Sequence, residues 1–371
     1  MTQTEWSDLL TEVPRTPFIP DTIWVGDEGA DLVPLSRHDD PQGWQALVDS
    51  DQPVVTQVDD GAAGPEGVGW MPTSSCSQPT VVAAMLDALD VRAGQRILEI
   101  GTGTGWNAAL LCRRVGPDGR VVTIEVDPGV ADAARVALAR AGYEPLVVTG
   151  DGVLGYAEDA PYDRLIATAT VRGIVPRAWL TQTRPGGLVV LPWANDYIAG
   201  AQLVLTVGPN GNATGRFTGT LGFMALRSQR RRYYSPTPAR IRNAQTSTTD
   251  VHGRDFWQII NTDEAAMSIG LRVPHCNLTV HIDHSGNARH SLELDDIGTR
   301  SWARFDAHLT SPDKLFVHQL GPRKLWDEVV AAFDWWYDMG RPGLSRFGMT
   351  ITDAVQTIWL DDPTNIVVTL T

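Results

Sequence analysis

The sequence predicts a doubly wound α/β domain followed by a smaller α+β domain. Between Arg96 and Arg227, short β-branched runs alternate with longer helical stretches, as in a parallel sheet covered by helices. Three glycines follow the first of these runs, where a strand turns into its helix. After Arg227 the apolar residues alternate as in antiparallel strands. We therefore place two domains at residues 1–235 and 236–371 of the 371-residue chain.

The N-terminal domain is predicted to contain a sheet of parallel strands and the helices that connect them. The strands are 96–101, 120–127, 144–152, 163–170, 187–193 and 201–207. The helices are 81–91, 106–115, 129–141 and 176–184. Proline opens or precedes the last two helices and glycine follows them, which are the residues that favour helix ends. The segment GPNGNATG at 208–215 is typical of a hairpin turn.

The C-terminal domain is predicted to combine antiparallel strands with one strong helix. Residues 278–284 and 290–296 alternate as strands, and 323–339 have helical periodicity. The apolar stripe of this helix predicts packing within its own domain, in preference to a groove for a peptide. The stripe consists of Leu325, Trp326, Val329, Val330, Phe333, Trp336 and Tyr337.

Composition and charge exclude several classes of function. No window approaches the roughly 18 consecutive apolar residues of a membrane helix, and the first residues lack a signal-peptide pattern. We therefore expect a cytoplasmic protein with no membrane partner. The net charge of −14 repels a phosphate backbone, so nucleic acid is not an expected partner either. Cys76, Cys112 and Cys276 have no short spacing and are expected to be reduced.

Charge is also distributed unevenly along the chain. Residues 1–63 hold thirteen Asp or Glu but only Arg15 and Arg37 as basic residues. Residues 227–242 hold six Arg and no acid, and we call them the basic strip. Such a run is typical of a solvated face or linker, and the alternative is a docking site for an acidic peptide.

The residues of clearest chemical meaning lie at the ends of the first three predicted strands. Because the carboxyl ends of parallel strands meet along one edge of a sheet, these residues predict a nucleotide-type site. The glycines allow close approach of a ligand to the backbone. The acid at the second strand can accept hydrogen bonds from two ribose hydroxyls, and the pair at the third can bind an adenine amine. They are Gly101, Gly103 and Gly105, then Glu125, then Asp151 and Gly152.

A dinucleotide cofactor is disfavoured by the spacing within the glycine turn. The third glycine falls one position too early for a G-x-G-x-x-G loop, and Trp106 occupies the position that the loop would give to glycine. An NAD-dependent oxidoreductase is therefore the least favoured alternative.

The wider pattern resembles the protein-L-isoaspartate O-methyltransferases, a family of class I enzymes with a Rossmann-like fold that use S-adenosylmethionine. The resembling stretch runs from about Val13 to Arg227. Its landmarks are VPRTPFIPD (13–21), SCSQPTVVAAML (75–86), LEIGTGTGWNAALL (98–111), VVTIEVD (121–127), GDGVLGY (150–156), APYDRLIATAT (160–170) and RPGGLVVLP (184–192). The resemblance implies an enzyme that methylates a carboxylate, with the glycines, Glu125, Asp151 and Gly152 as cofactor contacts.

The resemblance also implies a catalytic role for Ser77, the serine of the S-Q-P motif, beside the methyl donor and the acceptor carboxylate. A hydroxyl suits this chemistry, because a carboxylate is already ionised near neutrality and needs orientation more than a base. The alternative for Ser77 is a cap at the start of helix 81–91. Cys76 has no His in the matched motif and is predicted to be a small packing residue.

Two departures from the family concern the substrate. Thr80 stands where many repair enzymes carry an aromatic residue or His, and residues 38–70 contain extra acidic and Gly-rich sequence. More than a hundred residues follow position 235. Such extensions resemble isoaspartyl-methyltransferase-like enzymes that tailor ribosomally made peptides in actinobacteria. There the methylated Asp closes to an aspartimide, or to isoaspartate after hydrolysis.

The resemblance therefore implies methylation of one Asp in a constrained or macrocyclic ribosomal peptide. A general isoaspartyl repair methyltransferase is the alternative enzyme, and a non-catalytic module that binds S-adenosylmethionine or a peptide is the alternative of another class. No metal is expected. The C-terminal domain contains histidines at 275, 281, 284 and 290. His281 and His284 form an H-x-x-H pair, a spacing that can bind a metal, but alternation along a strand would put their side chains on opposite faces.

Overall fold

The computed structural model describes residues 3–26, 31–63, 67–198, 200–249, 259, 263–282, 289–308 and 315–370. The helices are α1 (Gln3–Glu12), α2 (Pro41–Asp49), α3 (Pro79–Leu89), α4 (Trp106–Val115), α5 (Pro128–Arg140), α6 (Arg177–Thr181), α7 (Pro238–Ile241), α8 (Asp263–Arg272) and α9 (Leu325–Asp338).

Twenty strands are described. In the first half of the chain they are β1 (Thr22–Val25), β2 (Val33–Ser36), β3 (Val54–Val58), β4 (Pro72–Cys76), β5 (Arg96–Ile100), β6 (Arg120–Glu125), β7 (Leu146–Thr149), β8 (Tyr162–Ala167), β9 (Val171–Arg172) and β10 (Thr183–Ala194). The others are β11 (Ala201–Val207), β12 (Ala213–Thr220), β13 (Gln245–Thr249), β14 (Asn277–Ile282), β15 (Arg289–Asp296), β16 (Ser301–His308), β17 (Leu315–Leu320), β18 (Phe347–Ile351), β19 (Gln356–Leu360) and β20 (Ile366–Leu370).

The main sheet is the doubly wound α/β sheet that the sequence predicts. Its strands lie in the order β20-β19-β18-β12-β11-β10-β8-β5-β6-β7, and β9 pairs with β10. The strands β10, β8, β5, β6 and β7 run parallel to one another. The chain moves outward in one direction from β5 through β6 to β7 and in the other through β8 to β10. The crevice at the carboxyl ends of β5 and β8, where this direction reverses, is the usual ligand position in such a sheet.

The prediction that 201–207 belongs to a parallel sheet is wrong. β11 runs antiparallel to β10, in a register that pairs Leu188 with Thr206 and Trp193 with Ala201. Only residues 195–200 join the two strands, whereas a parallel crossover needs a dozen residues or more. The predicted hairpin at 208–215 then leads from β11 into β12.

Two smaller antiparallel sheets flank the main one. The first is formed by the N-terminal part in the order β2-β1-β3-β4, and Ser75 of β4 lies next to Gly103 in the turn after β5. The second, β13-β17-β16-β15-β14, contains the strands predicted at 278–284 and 290–296. The helix predicted at 323–339 is α9, and its stripe is buried except for Val330, which is half-buried, and Tyr337, which is exposed.

The predicted boundary at residue 235 separates the chain less completely than expected. β18 pairs with β12, and β19 and β20 continue outward from β18, so the last strands of the chain extend the main sheet. One hydrophobic core contains Leu165 of β8, Leu292 of β15 and Val329 of α9. The division into two domains stays a prediction, with β13–β17 as the part that stands outside the main sheet.

Among the described residues, no helix has the length and apolar character needed to cross a membrane. The three cysteines are free thiols, as predicted.

Candidate functional site

A cavity of about 400 Å³ opens at the carboxyl edge of the main sheet, between β4, the turn after β5 and the segment that follows β12. This volume suits a small-molecule ligand. The cavity is lined by Ser77, Gly101, Gly103, Glu125, Asp151 and Gly152, which are six of the seven predicted site residues.

The glycine turn after β5 has the backbone shape that the sequence predicts. Gly101, Gly103 and Gly105 have φ angles of 99°, 53° and 90°, which L side chains rarely adopt. A Cβ at Gly101 would lie 2.8 Å from Thr168 Oγ1, so a side chain is also excluded by contact. Gly105 differs in its role, because it caps α4 and faces Leu138 rather than the cavity.

Glu125 ends β6 and faces the glycine turn. Its Oε2 accepts a hydrogen bond from the Gly103 amide at 3.0 Å, and its Oε1 accepts one from the Asp127 amide at 3.1 Å. Each carboxylate oxygen can accept a second bond. Two acceptor positions therefore stay available at the place where the sequence predicts ribose hydroxyls.

Asp151 and Gly152, which follow β7, line another part of the cavity. The Asp151 carboxylate is exposed and accepts a bond from the Val153 amide at 3.0 Å, which starts a single helical turn at Gly152. Gly152 is buried, its carbonyl accepts from Trp179 Nε1 at 2.8 Å, and a Cβ there would lie 2.5 Å from Ile100 Cγ2. Only glycine lets the chain pass this close to β5.

Ser77 borders the cavity from the opposite side, just after β4. The alternative that Ser77 caps the next helix is wrong, because α3 begins at Pro79 and its cap residue is Gln78. The capping acid is Asp51, whose carboxylate accepts from the Thr80 amide at 3.0 Å and the Thr80 hydroxyl at 2.7 Å. Although burial opposes ionisation of Asp51, hydrogen bonds from Gln78 and Thr80 outweigh it and lower its pKa. The Ser77 hydroxyl is thereby left free of the helix.

Arg15 fixes the backbone of Ser77. This buried guanidinium donates to the Ser77 carbonyl at 3.2 Å and to four carbonyls around the end of α2. Those four are Val48 at 2.7 Å, Gln52 at 2.8 Å, Leu47 at 3.0 Å and Ser50 at 2.6 Å. A cation at the carboxyl end of a helix also interacts favourably with the helix dipole. The sequence places Arg15 in a family landmark but does not reveal this function.

Cys76 is a packing residue, as predicted. It is 1% exposed, and burial raises the pKa of its thiol to about 11. A thiol with this pKa is protonated near neutrality and is a poor nucleophile.

Sequence reasoning missed Glu99, a fully buried acid behind the glycine turn. Its Oε1 accepts a bond from Asn107 Nδ2 at 2.6 Å, and Asn107 lines the cavity. Burial raises the pKa of Glu99 to about 7. Its Oε2 has no partner among the described residues, so ionisation of this group would leave a buried charge poorly compensated.

The segment 223–230, which we call the strap, forms the outer wall of the cavity. It contains the start of the basic strip. Arg227 lies between Asp60 and Asp127, and Arg230 binds Asp60. Burial opposes ionisation of Asp127, but its bonds to Val130 and Arg227 lower the pKa of this carboxyl. Arg227 and Arg230 are thus paired with acids of this chain. Arg232, Arg240 and Arg242 of the basic strip are exposed, as expected for a solvated face, and docking of an acidic peptide there stays a prediction.

The histidines do not form a site in the described part of the chain. His275 is exposed and lies 3.7 Å from Asp196, and His281 is also exposed. His284 and the side chain of His290 lie outside the described residues.

Comparisons with known proteins agree with the geometry. Residues 62–220 match the family model of protein-L-isoaspartate(D-aspartate) O-methyltransferase. Protein-L-isoaspartate O-methyltransferase 2 of Archaeoglobus fulgidus is 36% identical over 154 residues, which cover 41% of this chain and 69% of the relative. The enzyme of that name from Methanopyrus kandleri is 43% identical over 130 residues, 34% of this chain and 57% of the relative.

The matched stretch is partial in some relatives, since it spans 57% and 55% of the proteins from Methanopyrus kandleri and Ignicoccus hospitalis. A solved protein-L-isoaspartate O-methyltransferase structure is 20% identical, with a TM-score of 0.52 over 96% of this chain and 95% of the other. This likeness concerns the fold, and it includes the C-terminal part.

The raised pKa of Glu99 predicts a pH dependence of stability. Between the ordinary pKa of 4.5 and about 7, the unfolded chain ionises at this residue while the folded chain keeps its proton. The free energy of unfolding should therefore fall as pH rises through this window, by on the order of 3 kcal/mol. Glu99→Gln should not show this fall. Urea unfolding of both proteins from pH 5 to pH 8 measures it.

The matched control is Glu144→Gln, which neutralises an exposed glutamate. This variant should follow the wild type at every pH. Curves for wild type and Glu99→Gln that stay parallel would contradict the predicted ionisation of Glu99.

Proposed function

The chain belongs to the protein-L-isoaspartate O-methyltransferase family, and we propose that it transfers a methyl group from S-adenosylmethionine to a carboxylate of an isoaspartyl or aspartyl residue in a peptide. The observation that supports this most is the shared cavity. The glycine turn and Glu125 border it on one side, and Ser77 borders it on the other.

The residues present fit the proposed cofactor. The turn at Gly101 and Gly103 lets a ligand approach the backbone, and Glu125 offers free acceptor positions for two ribose hydroxyls. Asp151 also lines the cavity, and its carboxylate can accept a hydrogen bond from an adenine amine. When bound, S-adenosylmethionine supplies a methyl group on a positively charged sulfur, which is the electrophile of the reaction.

The protein's contribution to the chemistry is orientation. An acceptor carboxylate with an ordinary pKa of about 3.9 is ionised near neutrality, so no general base is needed. The Ser77 hydroxyl can donate one hydrogen bond that holds the carboxylate, and Arg15 keeps that residue's backbone in place. Holding the reacting atoms roughly 3 Å apart and excluding water accounts for the expected rate gain.

A narrower function is tailoring of a ribosomally synthesised peptide, in which one Asp is methylated and closes to an aspartimide. In this narrower proposal the sheet β13–β17, which lies outside the stretch 62–220 that matches the family model, contacts the shaped substrate. The extension alone does not separate tailoring from repair, since the solved structure of like fold also covers the C-terminal part.

The first experiment tests the activity and separates the two substrates. The full chain is incubated with S-adenosylmethionine and with three peptides: a short L-isoaspartyl peptide, its L-aspartyl counterpart, and the cyclised product of a precursor gene found beside this gene. General repair predicts one added methyl on the isoaspartyl peptide only. Tailoring predicts one methyl on the cyclised peptide, then loss of methanol, leaving it one water lighter. Mass spectrometry distinguishes these outcomes.

Methylation of none of the three peptides would contradict the proposal. A chain cut at residue 235 is a poor control, because the cut removes β18–β20 and bares the edge of β12. The full chain is therefore used throughout.

The second prediction concerns the cofactor. Glu125→Ala removes the acceptors for the ribose and should weaken S-adenosylmethionine binding by roughly 2–4 kcal/mol. Glu125→Gln keeps one acceptor oxygen and should lose less. Calorimetry measures both, and unchanged affinity in the alanine variant, or tight NAD binding by the wild type, would refute the assignment.

The third prediction separates binding from chemistry. Ser77→Ala should leave cofactor affinity nearly intact and slow methyl transfer by roughly 10- to 1000-fold, because the acceptor loses its orientation. Single-turnover rates with saturating peptide measure this. Ser345→Ala is the matched control, since this serine is exposed and does not line the cavity. Wild-type turnover in Ser77→Ala would exclude a catalytic role for that hydroxyl.

A further inference from the structure

The strap is anchored on its inner side to the segment after β8. The Thr170 amide donates to the Met224 carbonyl at 2.9 Å, and the Leu226 amide donates to the Thr170 carbonyl at 3.0 Å. Further along, Gln229 Oε1 accepts from the Arg172 amide at 2.7 Å. Thr170 is fully buried, so this side of the strap is fixed to the core.

Two arginines anchor the strap on its outer side. Arg230 makes a bidentate pair with Asp60, with Nη1–Oδ2 and Nη2–Oδ1 distances of 2.6 and 2.8 Å. Arg227 Nη2 lies 3.1 Å from Asp60 Oδ1 and 3.1 Å from Asp127 Oδ2. Asp127 follows Glu125 by two residues. The strap therefore runs along the cavity from β9 to the side where the ribose is expected. Asp60 is the residue that contacts both of its arginines.

The turn that presents Asp60 is strained and tightly held. Asp59, Asp60 and Gly61 have φ angles of 49°, 54° and 83°, in the region that non-glycine residues rarely occupy. The Asp59 carboxylate accepts from the amides of Trp70 and Met71 at 2.8 and 3.0 Å. Such strain persists only where surrounding contacts fix it, and it is often found at functional sites.

We propose that Asp60 is a positioning residue that fastens the strap across the mouth of the cofactor pocket and thereby slows release of the cofactor and its product. This inference rests on the proposed function, since it assumes S-adenosylmethionine in the cavity. A ligand held beneath the strap leaves faster once the strap moves away. That movement breaks the three contacts of Asp60 with Arg227 and Arg230.

The ion pairs that fasten the strap should weaken as the salt concentration rises. The side chains of Asp60, Arg227 and Arg230 are 38%, 33% and 25% exposed, so dissolved ions reach them. At about 1 M salt, charges are screened over roughly 3 Å, compared with about 10 Å at 0.1 M. Asp60 belongs to the acid-rich residues 1–63, and Arg227 and Arg230 belong to the basic strip, so these two segments meet at this ion pair.

The test compares two matched variants. In each, an Asp whose backbone lies in the left-handed region is changed to Asn. Asp60→Asn tolerates the same backbone conformation but loses the charge. Asp361→Asn is the control, because Asp361 also has a positive φ, at 64°, and binds Arg346 through two bonds of 2.8 and 2.7 Å outside the cavity. Stopped-flow release of S-adenosylhomocysteine is measured at about 0.1 M salt, with thermal unfolding in parallel.

Asp60→Asn and Arg230→Gln should each release S-adenosylhomocysteine about three- to tenfold faster than the wild type. In Asp60→Asn, KM for S-adenosylmethionine should rise while the single-turnover rate at saturation stays unchanged, because Asp60 does not line the cavity. Asp361→Asn should release S-adenosylhomocysteine at the wild-type rate. High salt should raise the release rate of the wild type toward that of Asp60→Asn. Equal release from the wild type and Asp60→Asn would overturn the inference alone. No binding of S-adenosylhomocysteine by the wild type would overturn the proposed function and this inference together.

Discussion

One buried cation, Arg15, connects the parts that build the Ser77 side of the cavity. Its guanidinium binds carbonyl oxygens of α2, of the residues after α2 and of Ser77. Desolvating a charge is costly unless hydrogen bonds replace the water it loses. The N-terminal segment, α2 and the end of β4 must therefore come together around Arg15 in one arrangement. That arrangement sets the position of Ser77 against the glycine turn.

The residues of the candidate site that directly follow a strand could be predicted from the sequence. The glycine turn, Glu125 and Asp151 each follow a strand of the parallel sheet, and the topology of such a sheet places these ends side by side. Gly105 shows the limit of this reasoning, because the same backbone requirement serves helix capping and packing against Leu138 rather than ligand contact. Spacing alone does not distinguish these two uses of glycine.

The features that the sequence did not predict depend on contacts between distant residues. Asp51 caps α3 from 29 positions away, and Asp60 binds Arg230 from 170 positions away. No periodicity encodes such pairs. The antiparallel direction of β11 was predictable from the short loop before it, but the pairing of β12 with β18 was not. Likewise, the pKa of Glu99 depends on burial, which a strand pattern does not measure.

The position of β18–β20 has a consequence for the order in which this protein folds as it is made. β12 is complete long before β18 emerges from the ribosome, and during that interval its outer edge has unpaired backbone groups. Such an edge can pair with another nascent chain. Gly219 and the charged Arg216 on β12 weaken its tendency to do so. The main sheet of this protein thus gains β18–β20 only after a long stretch of chain has followed β12, although the residues predicted to bind the cofactor are synthesised early.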